Sequence, residues 1–170
     1  PVGIVSQSGA YGAHLAHLAR NRGLGISQWI TTGNEADIDM AEALMHVVRQ
    51  PETRVVMAYA EGVRDRDVFI EALETARRMH KPVVFMKTGR SAVGAAAAAS
   101  HTAALAGSDG VFDAVLRQYG VHRAQTTAEQ IDVAYAAASG RFPKGDRVGI
   151  FTMSGGFGIQ LADDLESAGL

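Results

Sequence analysis

The chain has 170 residues, of which 47% are hydrophobic, and its 16 basic and 18 acidic side chains nearly cancel. This length and composition predict one sizeable core, with at most part of a second domain. The even charge balance argues against nucleic acid and anionic membranes as partners, because both require a one-sided positive field. The sequence has no cysteine, which excludes disulfides, thiolate metal sites and cysteine nucleophiles.

A membrane-spanning segment is not expected either. The longest uncharged run, residues 91–108, consists mostly of Ala, Gly, Ser and Thr and is too weakly apolar for a transmembrane helix. The sequence does not open on a signal peptide. We therefore expect a soluble, cytoplasmic protein whose partners are small ligands or other proteins.

In chain order, short β-rich apolar runs alternate with longer stretches at helical spacing, and Gly, Pro and small polar residues separate them. Strands are predicted near residues 2–6, 26–31, 54–59, 82–87, 120–123 and 147–152. Helices are predicted near residues 10–21, 37–49, 66–79, 109–119, 128–138 and 158–167. This alternation is typical of βαβ units and predicts an α/β fold in which helices cover both faces of a parallel sheet.

The segment "GRFPKGD", residues 140–146, combines Gly, Pro and three charges and indicates a linker. It divides the sequence into a domain over 1–140, a linker over 141–146 and, over 147–170, the start of a second, truncated domain. A lone βα unit cannot bury its own apolar face, so we expect it to pack on the first domain or on another copy of the chain in a homo-oligomer. Alternatively, residues 147–152 add one more strand to a single sheet.

Two strand-to-helix turns share one pattern, "SQSGAYG" and "TMSGGFG". Such a turn directs unpaired backbone N–H groups and the positive end of the helix dipole at one point, which suits phosphate. The simpler interpretation is a tight turn that needs positive φ. The phosphate-binding candidates are Ser8, Gly9 and Ala10 in the first turn and Ser154, Gly155 and Gly156 in the second.

His101 lies in "AAAAASHTAALAGSDG", where only short side chains surround it. The imidazole is therefore open to approach. A neutral imidazole is a good nucleophile near pH 7, and it can carry a phosphoryl group when an acceptor holds its other nitrogen. The alternative is an Ala-rich helix that ends at Ser100, with His101 as a polar residue beyond it.

Five segments together carry a family resemblance: "GIVSQSGAYG", "TTGNEADID", "YAEGV", "KPVVFMKTGRS" and "AAASHTAALAGSD". They resemble the succinyl-CoA-ligase-like flavodoxin domain of the NDP-forming acyl-CoA synthetases, relatives of the succinyl-CoA synthetase α subunit. The match covers nearly all of residues 1–140, and residues 147–170 resemble the start of the second ligase-like domain. The resemblance implies a flavodoxin-like fold and an enzyme that interconverts acyl-CoA, phosphate and NDP with free acid, CoA and NTP through an acyl phosphate and a phosphohistidine.

The same resemblance implies roles for individual residues. His101 matches the phosphorylated histidine, and Glu61 matches the carboxylate that accepts a hydrogen bond from its ring, although an ordinary loop acid is the alternative for Glu61. Asn34 and Glu35 match a motif near the site, with helix capping as the alternative role. Ala103 stands where the family usually has glycine; if that glycine needs positive φ, the loop is strained or differently placed here.

The resemblance also implies which cofactors and partner domains belong to other parts of the full-length enzyme. No metal ligands and no cofactor are expected in this piece, which alone should be inactive. CoA, NTP or NDP and Mg²⁺ are expected in the full-length enzyme, and the partners of this piece are then CoA-binding and ATP-grasp domains or subunits.

Two other classes of function stay open. Similar modules fused to acetyltransferase domains sense a ligand in some bacterial protein acetyltransferases, although the presence of both His101 and Glu61 favours the enzyme. A flavin-binding module is the third class, since "SQSGAYG" superficially resembles a flavodoxin phosphate loop. Against it, Gln7 and Ala10 stand where that loop favours Thr, and no aromatic-rich loops are evident.

Overall fold

A parallel β-sheet forms the centre of the first part of the chain. The computed structural model describes residues 1–91, 93, 94, 96 and 108–170. Its strands are β1 Val2–Ser6, β2 Ile26–Thr31, β3 Val55–Ala60, β4 Val83–Lys87 and β5 His122–Arg123. They lie in the order β2-β1-β3-β4-β5, and all neighbours are parallel. This is the flavodoxin-like order, with its switch point between β1 and β3, and it confirms the predicted α/β fold.

Helices cover both faces of this sheet, as predicted. The described helices are α1 Gly9–Asn21, α2 Met40–Arg49, α3 Arg66–Arg78, α4 Asp109–Gln118, α5 Thr127–Ala138 and α6 Gly155–Ser167. Alternate residues of β3 enter two separate cores: Val56 and Ala58 pack with α2, α3 and α4, whereas Val55 and Met57 pack with α1 and α5. Because both faces are buried, the central strands are apolar except at their carboxyl ends, where Ser6 ends β1 and Lys87 ends β4. No helix in the described part of the chain is both long and apolar enough to cross a lipid bilayer.

Two predicted boundaries were wrong by a few residues, for local reasons. Helix α2 begins at Met40 instead of near residue 37, because Asp39 is its N-cap. The Asp39 carboxylate accepts from the Glu42 backbone N–H at 2.9 Å, and the Glu42 carboxylate accepts from the Asp39 N–H at 3.0 Å, which is a capping box. Strand β5 begins only at His122, because Gly120 has φ +69° and ends α4 in a left-handed turn.

Residues Arg141–Leu170 form a second compact unit, separate from Pro1–Gly140. Helix α6 lies in it, and none of its residues is buried. The strand predicted over 147–152 was wrong: these residues are in no sheet of the described chain. An extended apolar segment becomes a strand only when a neighbouring strand supplies hydrogen-bond partners, and no described segment pairs with 147–152. The predicted βα unit is therefore present only as its helix.

Gly3, in the middle of β1, is required by the packing of α2 on the sheet. A Cβ atom at this position would lie 2.2 Å from Cγ1 of the buried Val47 and 3.1 Å from Cγ2 of Thr53. We expect Gly3→Ala to lower the free energy of unfolding by about 1–3 kcal/mol through overpacking, measured by urea titration. Gly25→Ala is the matched control, because a Cβ there meets nothing within 4 Å. Equal effects of the two substitutions would contradict this account.

Candidate functional site

The turn between β1 and α1 is built by two serines. Ser8 is the N-cap of α1, and its Oγ accepts from the Tyr11 N–H at 3.2 Å. Ser6 Oγ donates to the Ser8 carbonyl at 2.7 Å and accepts from the Ser8 N–H at 3.2 Å. The N–H groups of Gly9 and Ala10, both exposed, have no hydrogen-bond partner among the described residues. They are the open donors of the first helical turn, and they suit an anion such as phosphate.

The turn before α6 has the same construction. Ser154 is the N-cap, and Thr152 takes the place of Ser6. Thr152 Oγ1 donates to the Ser154 carbonyl at 3.3 Å and accepts from the Ser154 N–H at 3.1 Å. Gly155 and Gly156 follow the cap and are exposed. The repeat seen in the sequence is therefore also a repeat of hydrogen bonds, although the two turns belong to separate units.

A glycine four residues after each cap permits this turn. A Cβ on Gly12 would lie 3.1 Å from the Cβ of Ser6 and 2.8 Å from Nε1 of Trp29. A Cβ on Gly158 would lie 3.2 Å from Cγ2 of Thr152. In both turns the helix thus passes close over the hydroxyl residue that ends the preceding segment.

Glu61 directly follows β3, and its backbone lies at the same edge of the sheet as the Ser8 turn, because β1 and β3 are parallel neighbours. One of its carboxylate oxygens, Oε2, is buried and has no hydrogen-bond partner among the described residues. A carboxylate oxygen can only accept, and leaving a buried acceptor unmet costs about 1–3 kcal/mol. Burial raises the pKa of the Tyr59 hydroxyl, a hydrogen bond with Thr88 opposes this shift, and the charge of the neighbouring Glu61 carboxylate together with its hydrogen bond to the hydroxyl raises that pKa further. The Glu61 carboxylate therefore keeps one buried oxygen, Oε2, that can accept a further hydrogen bond.

The predicted site is brought together only in part. The first turn and Glu61 share one edge of the sheet, whereas the turn over residues 154–156 lies in the other unit. His101 and Ala103 lie outside the described residues. The role of His101 therefore stays a prediction.

Sequence reasoning missed a buried polar network beside Glu61. Glu35 is buried at φ +56°, and its Oε1 accepts from Gln7 Nε2 at 2.7 Å, from Thr32 Oγ1 at 3.2 Å and from the Met40 N–H at 3.0 Å. Its Oε2 lies 3.4 Å from Nε of Arg64. Glu35 thus caps the first N–H of α2, which was the alternative considered for it. For Gln7, the signal in the sequence was a polar residue placed directly after the buried strand β1; Glu35 lies four residues beyond β2 and had no such signal.

Lys87, at the end of β4, is a second buried polar residue that was missed. Its side chain is covered, Nζ donates to the Thr88 carbonyl, and the ammonium lies 5.8 Å from the ring centroid of Phe112. Burial lowers the pKa of Lys87, and the nearby negative charge of Asp109 opposes this shift. The buried ammonium of Lys87, at the carboxyl end of β4, therefore lowers the stability of the folded chain to some extent.

This shift gives a testable pH dependence. The pKa of Lys87 is lower in the folded chain than its ordinary value of 10.5, so the unfolded chain binds more protons between the two values and wild-type stability gains from rising pH. We expect the stability of Lys87→Met, relative to wild type, to fall as the pH rises towards 10.5, measured by urea unfolding from pH 7 upward. The other titratable groups contribute equally to the pH dependence of wild type and Lys87→Met. Parallel curves of stability against pH for the two proteins would therefore contradict the lowered pKa of Lys87.

The parallel sheet in the order β2-β1-β3-β4-β5, with a Ser-capped first helix and a carboxylate after β3, defines a flavodoxin-like domain. Residues 1–137 match the family described as the succinyl-CoA ligase like flavodoxin domain. The chain belongs to this family.

Two curated proteins that are similar to the chain are CoA ligases. The chain is 42% identical over 170 residues to the α subunit of an ADP-forming acetate–CoA ligase I from Pyrococcus furiosus. The alignment covers 100% of this chain and 37% of that protein. The chain is also 35% identical to an ADP-forming 4-hydroxybutyrate–CoA ligase from Nitrosopumilus maritimus, over 98% of the chain and 24% of the relative. The chain thus spans 37% and 24% of the length of these two relatives.

A solved structure agrees with the family assignment. The dinucleotide-forming acetyl-coenzyme A synthetase 1 of Ca. Korarchaeum cryptofilum, in complex with phosphate and ADP, superposes with a TM-score of 0.88 at 34% identity. The alignment covers 99% of this chain and 36% of that chain. The fold of almost the whole chain is therefore that of one part of such a synthetase.

Proposed function

We propose that the chain is the part of an NDP-forming acyl-CoA synthetase that carries the phosphoryl group on His101. The full-length protein converts acyl-CoA, phosphate and NDP to free acid, CoA and NTP. The observation that carries this proposal is the buried, unpartnered Oε2 of Glu61, at the same sheet edge as the open N–H groups of the first helical turn. The family and the names of the relatives support the same reaction.

In the proposed route, phosphate displaces the CoA thiolate from the acyl group and forms an acyl phosphate. A neutral imidazole nitrogen of His101 then attacks the phosphorus, the bond between phosphorus and the acyl oxygen breaks, and the acid leaves as its carboxylate. Finally an oxygen of the NDP attacks the phosphorus, and the N–P bond breaks to regenerate the imidazole. No oxidant or reductant is needed, because every step transfers an acyl or phosphoryl group.

The chain's own residues supply two effects in this route. Glu61 accepts a hydrogen bond from the protonated ring nitrogen, which fixes one tautomer and stabilises the positive charge that the ring develops while the other nitrogen binds phosphorus. The N–H groups of Gly9 and Ala10, and those of Gly155 and Gly156 at the second turn, stabilise the phosphoryl oxygens.

The metal ion, CoA and the nucleotide of the proposed reaction are assigned to other parts of the protein. Within the described residues, no group of three His, Asp or Glu side chains is placed to hold a metal ion. We assign Mg²⁺, CoA and the nucleotide to CoA-binding and ATP-grasp domains or subunits, which are the proposed partners. The protein would work in the cytoplasm, where CoA and nucleotides are available.

An assay on the full-length protein tests this function. Incubation with acetyl-CoA, ADP and phosphate is expected to release CoA and form ATP in equal amounts, and omission of phosphate is expected to stop both. A ligand-sensing module would bind phosphate without forming ATP. The relatives differ in the acid they are named for, so 4-hydroxybutyryl-CoA belongs in the same assay. Absence of ATP with every acyl-CoA tested would reject the proposed function.

A further inference from the structure

The carboxamide of Gln7 connects the loops that follow β2 and β3. Its Oε1 accepts from the backbone N–H groups of Glu61 at 2.6 Å and Gly62 at 3.3 Å. Its Nε2 donates to Glu35 Oε1 at 2.7 Å and to the Gly62 carbonyl at 2.8 Å. A primary amide has two donors and two acceptor lone pairs, so this buried side chain uses all of its hydrogen-bonding capacity on these two loops.

The orientation of this amide is forced by its partners. The carboxylate of Glu35 can only accept, and the N–H groups of Glu61 and Gly62 can only donate. An amide turned the other way would set its oxygen against a carboxylate and its NH₂ group against two N–H groups. Glu35 therefore determines which way Gln7 faces, and Gln7 determines where the backbone of Glu61 lies.

The Ser8 turn itself does not explain the presence of this amide. The second turn has the same cap and the same hydroxyl bridge, yet Met153, which is fully exposed, stands in the position that corresponds to Gln7. A side chain without amide hydrogen bonds is therefore sufficient for the turn. What distinguishes the first turn is that its amide contacts the loop that carries Glu61.

We propose that Gln7 is a positioning residue that holds Glu61 so that the unpartnered Oε2 accepts the hydrogen bond of the imidazole N–H during phosphoryl transfer. The inference rests on the proposed function, because the role of Glu61 comes from the phosphohistidine route. Without Gln7, the N–H groups of Glu61 and Gly62 lose their acceptor and the loop moves to find another. Misplacement of a reacting group by about 1 Å can cost about 100-fold in rate.

A double-mutant cycle tests whether Gln7 acts through Glu61. The four proteins are the full-length wild type, Gln7→Met, Glu61→Gln and the double variant, each treated with potassium phosphoramidate. The P–N bond of the reagent breaks, ammonia leaves, and an N–P bond forms on the imidazole. The first-order rate of phosphoryl uptake on His101 is measured by mass spectrometry of peptides kept at alkaline pH, which separates His101 from the other histidines.

Gln7→Met is expected to slow uptake about 10–100-fold when Glu61 is present, and less than about twofold in the Glu61→Gln background. Equal slowing in both backgrounds, or no slowing by Gln7→Met, overturns the inference while leaving the role of Glu61 intact. If Glu61→Gln has no effect, the role proposed for Glu61 fails, and the inference fails with it.

A second variant covers the case in which Gln7→Met does not fold, as judged by urea unfolding. Glu35→Gln keeps the size of the side chain but can both donate and accept, so the amide of Gln7 is no longer held in one orientation. It is expected to slow uptake on His101 when Glu61 is present and not in the Glu61→Gln background. The same slowing in both backgrounds overturns the inference.

Discussion

His101→Ala in the full-length protein is expected to abolish NTP formation, a loss of at least about 1,000-fold. The reason is that the imidazole is the covalent carrier between acyl phosphate and NDP, and alanine has no nucleophile. Glu61→Gln is expected to lower the rate about 100- to 10,000-fold, because a neutral amide does not stabilise the imidazolium and can present a donor where an acceptor is needed. The measurement is ATP formed from acetyl-CoA, ADP and phosphate.

His17→Ala is the matched control for this prediction. His17 is exposed on α1 and bonds only Asn21 among the described residues, so its loss is expected to leave the rate within about twofold, since surface substitutions away from special features have small effects. A rate for His101→Ala close to that of wild type would contradict the covalent route. A normal rate for Glu61→Gln would contradict only the role of the carboxylate.

Glu35→Ala is expected to lower the free energy of unfolding by about 3 kcal/mol, because it leaves buried donors without their acceptor. The carboxylate accepts hydrogen bonds from Gln7, Thr32 and the Met40 N–H. Alanine at φ +56° keeps the strain of the left-handed backbone, because it has a Cβ atom as glutamate does. Glu35→Gly removes the same carboxylate but relieves the left-handed backbone by about 1 kcal/mol. The glycine variant is therefore expected to be the more stable of the two in urea unfolding.

Glu71→Ala is the control for the loss of an acidic side chain. Glu71 is 58% exposed and lies 3.7 Å from Arg49, and exposed ion pairs contribute about 0–1 kcal/mol. If Glu35→Ala costs no more than Glu71→Ala, the buried network does not hold the loop after β2 in place.

The fold could be predicted because its signals are local. Each central strand is buried on both faces, so the apolar runs over β1, β3 and β4 stand out in the sequence. The turn at Ser8 and the carboxylate of Glu61 could be placed at one sheet edge, because the carboxyl ends of parallel strands meet there. Boundaries failed where one side chain decides them, as at Asp39.

The polar network could not be predicted, because its contacts join distant parts of the sequence. Gln7 bonds Glu35 and Glu61, which are 28 and 54 positions away, and no local pattern shows which side chains will meet. The strand predicted over 147–152 failed for the complementary reason: local propensity favours it, but a strand also needs a partner. Local sequence thus predicts elements, and tertiary pairing decides which of them form.

Site-resolved labelling tests the central claim most directly. The full-length protein is incubated with γ-labelled ATP and Mg²⁺, the label is tested for stability in acid and base, and its position is mapped on peptides. The account predicts an acid-labile, base-stable label on the peptide that contains His101, and no label in His101→Ala. Label that persists in His101→Ala, or that lies on another residue, would contradict the account.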